Sequence, residues 1–61
     1  MQCNWVFCDK DGQARACAVL DESTLPHTGD GRIYDQIHYR VQLIGQNMLT
    51  SKNPLIIAIE L

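Results

Sequence analysis

The last seven residues, LIIAIEL (Leu55 to Leu61), constrain this chain more than any other stretch. An extended backbone puts Leu55, Ile57, Ile59 and Leu61 on one side and Ile56, Ala58 and Glu60 on the other, so both sides are apolar. A run of this length and β-branched content reads as a strand buried on both faces, at the centre of a sheet. A chain of 61 residues buries only about 60% of the surface its unfolded form exposes. Covering both faces therefore needs more material than one copy holds, and self-association or a larger protein partner is expected to supply it.

The opening segment, Gln2 to Leu20, reads as a β-hairpin in which NWVFC and ARACAVL flank DKDGQ. Asp9 opens a type I turn and Gly12 takes the left-handed position at its end, which makes a three-residue loop with a bulge. In that register Asp9 pairs with Gln13, Trp5 lies opposite Cys17, and Cys3 lies opposite Val19. A two-residue loop on Asp11-Gly12 is the rival, with Cys17 opposite Val6 and Cys8 opposite Arg15; a one-residue slip moves every side chain to the other face. Neither register sets two cysteines across from one another, so a hairpin disulfide is not expected.

Residues 21 to 32, DESTLPHTGDGR, are dense in turn formers and read as a loop crossing between sheet layers. Within it, HTGDG is expected to form a turn; an anion-binding nest is disfavoured because the Asp30 carboxylate would oppose a phosphate. From Gln36 to Leu43 the sequence alternates, with Ile37, Tyr39, Val41 and Leu43 facing one way and Gln36, His38, Arg40 and Gln42 the other. A half-buried strand fits that pattern better than a helix, which would leave Tyr39 and Leu43 wet. Gly45 to Pro54 is a second connection, with Met48 and Leu49 as plugs over a core edge. The expected fold is a single domain over residues 1–61, mostly β, a small antiparallel four-stranded sheet or open barrel. A β-β-α-β arrangement of the α+β class is the alternative.

Five basic and seven acidic residues give a net charge of −2, which offers no general attraction to phosphate backbones or anionic lipids and disfavours nucleic acid as a partner. No apolar run reaches membrane-spanning length, and MQCNWVFCDKDG lacks the pattern of a secretory signal. Three cysteines, an odd count, fit a reduced compartment, and a cytoplasmic location is expected.

Cys3, Cys8, Cys17, His27 and His38 are zinc-ligand types, and a small zinc-binding domain using cysteine and histidine is one alternative function. Cys3 and Cys8 have the spacing of a zinc knuckle, yet an odd number of steps along a strand sends them to opposite faces. Cys8 and Cys17 are expected to pack as small apolar side chains. A calcium loop fails, because placing Gly12 at the sixth position sets Phe7 and Ala18 where carboxylates are required. Combinations of Cys8, Cys17, His27, His38, Asp30 and Asp35 could make a nucleophile and base, but no local motif joins them, so an enzyme with an inter-subunit site is the weaker alternative.

The reading favoured by the sequence is a small non-catalytic binding module acting through protein–protein interaction and self-association, with no catalytic residue, metal or cofactor. Gln36, His38 and Arg40 form a row of polar side chains about 7 Å apart along one strand face. Trp5 and Tyr34 are the aromatic anchors expected to accompany them at the partner surface.

Overall fold

The computed structural model describes residues 1–46 and 53–61, and the expectation for Met48 and Leu49 lies outside that set. The described residues form five strands and no helix: β1 (Gln2–Cys8), β2 (Ala14–Asp21), β3 (Gly31–Tyr34), β4 (Ile37–Gln46) and β5 (Pro54–Glu60). They make one curled, open sheet in the order β2-β1-β5-β4-β3. The mostly β class agrees with the sequence reading, while two details are corrected. There are five strands where four were expected, and the sheet is mixed, because β1 and β5 run parallel while every other pair is antiparallel.

The additional strand comes from a turn that the sequence hides. Asp35 and Gln36 both have positive φ, 50° and 67°, the signature of a two-residue hairpin turn of the I′ kind. They fold the chain back between β3, whose first residues Gly31 and Arg32 the sequence assigns to the end of the loop, and β4, so Gln36 belongs to the turn and not to the strand. The parallel pair follows from β5 entering the sheet beside the first strand of the chain, a neighbour from which two hairpins separate it.

At the first hairpin, each sequence register holds over part of the structure. The Asp9 amide donates to the Gln13 carbonyl at 2.8 Å and the Gly12 amide to the Asp9 carbonyl at 3.0 Å, with Gly12 at φ 85°. The Asp9 carboxylate also accepts from the Asp11 and Gln13 amides at 2.9 and 3.0 Å. This is the bulged loop. A second irregularity between Phe7 and Cys8 then shifts the strands, so that Cys8 faces Ala14, Phe7 faces Ala16, Trp5 faces Ala18 and Val6 faces Cys17. The shift sets small alanines beside the two large rings of β1, which gives the rings room on the buried face.

That buried inner face holds Cys3, Trp5, Phe7, Tyr39, Val41, Ile56 and Ala58, with Ala16, Ala18, Leu20, Tyr34, Ile37 and Ile44 packed around them. Trp5 stacks on Phe7 with ring centres 5.3 Å apart, and Phe7 stacks on Tyr34 at 4.3 Å and meets Tyr39 at 4.8 Å. Aromatic pairs at such separations add about 0.5–1.5 kcal/mol each beyond simple burial. A bulge in β4 between Val41 and Leu43 then changes the alternation: Ile44 joins the inner face opposite Ile56, and Leu43 turns outward opposite Ile57.

Candidate interaction surface

The inner face is filled and tied at both ends by charged side chains. Arg32 on β3 donates to both carboxylate oxygens of Glu22, which follows β2 and is buried, and its guanidinium lies 4.5 Å from the centre of the Trp5 ring. Toward the other end, Arg15 crosses from β2 to the Glu60 carboxylate at 2.7 Å and the Tyr39 hydroxyl at 3.3 Å. These bonds, Tyr39 first and then Glu60, push the Arg15 pKa further up and keep it cationic. Burial pushes the Cys3 thiol above its ordinary value, and the nearby Glu22 charge adds to the effect.

Loop residues 22–30 border the inner face. His27 and Asp30 close a turn, the Asp30 carboxylate accepting the His27 amide at 2.8 Å and the Asp30 amide donating to the His27 carbonyl at 3.0 Å. The Asp30 carboxylate therefore occupies the position an anion would need. A cavity of about 270 Å³ beside this loop is lined by Glu22, Ser23, Thr24, Pro26, Asp30 and Arg32, among others. The Trp5 ring closes its floor almost without exposure, and the buried Trp5 Nε1 meets no acceptor among the described residues. An unpaired buried donor of this kind costs about 1–3 kcal/mol.

The outer face is different in character. Strand register places Val6 beside Cys17 and Ile57, Cys8 beside Ile59, Asn4 beside Val19 and Leu55, and Leu43 beside Ile57. Side chains directly opposite in a sheet share a face, so the centre of the outer side is apolar across β2, β1, β5 and β4. Val19 is 59% exposed, Leu43 57% and Ile33 61%. A shallow groove of about 420 Å³ runs over Asn4, Val6, Cys17 and Val19. An antiparallel sheet with one wet face normally carries polar residues there, whereas parallel strands are found in sheets covered on both sides. This outer face has the composition of a covered one, and no described residue of the same copy covers it.

The five residues singled out from the sequence do not form one surface. Trp5 is buried in the inner face and Tyr34 is half-buried there, stacked on Phe7. Gln36 lies in the β3–β4 turn. His38 and Arg40 are exposed and share the outer side, His38 opposite Ile33 and Arg40 opposite Ile59 and Gly31. Sequence reasoning missed Val6, Val19, Leu43 and Cys17 as members of an apolar patch. The available signal was the apolar character of both sides of LIIAIEL, which implied that the strand beside it would also carry apolar side chains outward.

Cys3 and Cys8 are buried, as expected of Cys8, but Cys17 is exposed on the outer face and does not pack, because the Phe7–Cys8 bulge turns it away from the core. No group of three or more histidine, cysteine or acidic side chains converges among the described residues. No helix among them is long and apolar enough to cross a membrane. No protein-family model matches the chain, and neither does any curated protein or solved structure.

Proposed function

We propose that this protein is a small non-catalytic binding module that works by protein–protein contact through the outer face of its sheet. The observation that carries this reading is the apolar centre of that face, with Val19 and Leu43 each more than half exposed. Contiguous exposed apolar surface rimmed by polar residues marks interaction sites in soluble proteins. His38 and Arg40, both exposed at the margin, supply the polar rim. The inner face offers little to a partner, because its aromatic side chains are already packed on one another.

Photo-crosslinking in the native host tests the reading. A photoreactive amino acid placed at position 19 or 43 is expected to yield protein adducts, and one at position 24, on the inner-face loop, is not. Absence of adducts from both outer positions, in protein that retains its β-sheet circular dichroism, would overturn it.

A further inference from the structure

We propose that the outer face is covered by a second copy of this chain, the two sheets packing face to face about a two-fold axis. The inference rests on the interaction-module reading and names its partner.

Area is the first argument. The Cα extents are 27 × 22 × 18 Å, so the broadest side of the molecule projects to about 600 Å², and side-chain relief raises the accessible area above that. Stable pairs bury about 800 Å² per partner. A molecule of this size thus has, on a single side, close to the surface a standard dimer buries. The curl of the sheet covers its own inner face, and a copy set against the outer face about 10 Å away would cover the other.

Charge is the second argument. Among the described residues, strand register places two charged side chains on the outer side, Asp21 and Arg40. Asp21 pairs with Gln2 at the start of β1, while Arg40 pairs with Ile59, which in turn lies beside Cys8 at the end of β1. The two side chains therefore lie toward opposite ends of a diagonal of the face and have opposite signs, and the Asp21 side chain, although 3.4 Å from the Met1 ammonium, remains 84% exposed. A two-fold axis lying in the interface, perpendicular to the line between them, brings Asp21 of each copy over Arg40 of its partner. The face is complementary to itself, which is what an isologous interface requires. Between the two charges lie Val6, Cys17, Val19, Leu43, Ile57 and Ile59, none of which leaves a charge unpaired on burial.

Cys17 is a native reporter of this contact, since Cys3 and Cys8 are buried in the single chain and Cys17 is exposed. The experiment is sedimentation velocity of the full chain from about 1 µM to 1 mM, a span chosen to bracket weak to moderate affinity. Thiol labelling of Cys17 is followed at the same concentrations. The expected result is a monomer–dimer equilibrium in which labelling slows at least about tenfold as dimer forms. Val19→Asp, and separately Leu43→Lys, should weaken dimerisation by about 100-fold or more, because each buries a charge without a partner. Far-UV circular dichroism confirms that each variant keeps its sheet, and the pair covers the case in which one does not fold.

A monomer at every concentration, with Cys17 equally reactive throughout, would overturn the proposal. So would a dimer that survives both substitutions and leaves Cys17 labelling unchanged, since the copies would then meet elsewhere, for example along the β2 edge. Adducts to other proteins from positions 19 and 43, combined with a monomeric chain, would overturn the second copy as partner while sparing the interaction-module reading.

Discussion

Arg32 and Glu22 are ten residues apart in the chain but stand at opposite edges of the sheet, Arg32 within β3 and Glu22 directly after β2. Their paired hydrogen bonds, one at 3.0 Å, close the open side of the curl, and the same guanidinium lies over the Trp5 ring. Curvature in this sheet is therefore held by a link between its two edge strands as well as by the core.

Removing one member of that pair leaves the other charge buried. Arg32→Gln should lower unfolding free energy by about 3 kcal/mol, the cost typical of an orphaned buried charge. The double variant Glu22→Leu/Arg32→Met should recover most of the loss. Urea denaturation of the three proteins checks this; equal stability of wild type and Arg32→Gln would show that the link does not hold the curl.

The turn at Asp35 and Gln36 carries two non-glycine residues at positive φ. Gln36→Gly removes side-chain strain in the left-handed region, which costs about 1–2 kcal/mol, and adds back part of it as unfolded-chain entropy. A net gain of about 0.5 kcal/mol is expected, seen as a higher denaturation midpoint, against the usual effect of introducing glycine.

Ala58 is fully buried between Phe7 on β1 and Val41 on β4. Ala58→Leu should destabilise by about 1–3 kcal/mol through overpacking. Near-ultraviolet circular dichroism should change with it, as the larger side chain displaces the Phe7 ring from its stack on Tyr34. Ala14→Leu, at an exposed position of β2, should be close to neutral.

Cys3 has a folded-state pKa raised above its ordinary 9.0 by burial first and by Glu22 second. The folded protein thus keeps the thiol proton after the unfolded chain has lost it, so the unfolded state binds fewer protons and stability falls as pH rises above about 9. Stability from this group is fully present below that value. Cys3→Ala should be less stable at neutral pH because it leaves a cavity, yet show a shallower decline between pH 9 and 10.5. Parallel slopes for the two proteins would refute the assignment.

How much of this was legible in the sequence depended on whether the signal was local. The loop from Asp9 to Gly12 was readable because an aspartate and a glycine at that spacing make their own hydrogen bonds. The register beyond it was not, because the shift near Arg15 accompanies that side chain's contacts with Tyr39 and Glu60, residues 24 and 45 positions away. The β3–β4 turn was hidden for a different reason: Asp-Gln lacks the glycine that usually announces two left-handed residues. Alternation from Ile37 to Val41 identified the inner face of β4 correctly, and the β4 bulge ended its validity at Leu43. The central position of β5 followed from its composition. Trp5, read as a surface anchor, is core, since either role uses the same large apolar ring and only its packing against Phe7 and Arg32 decides between them.

The parallel pairing of β1 with β5 has a kinetic consequence. Each flanking hairpin, β1–β2 and β3–β4, forms from near neighbours in the chain, but the strand that joins them comes last in order and must insert between them. Residues paired across β1 and β5, such as Trp5 and Ile56, close a loop that encompasses most of the sequence. Loop closure on that scale comes early in the entropy cost and late in the energetic return, which slows folding relative to a meander of the same length. Until β5 arrives, the two hairpins have separate halves of one core and each shows an unpaired inner edge, so the chain's exposure to intermolecular strand pairing is greatest before its final strand is in place.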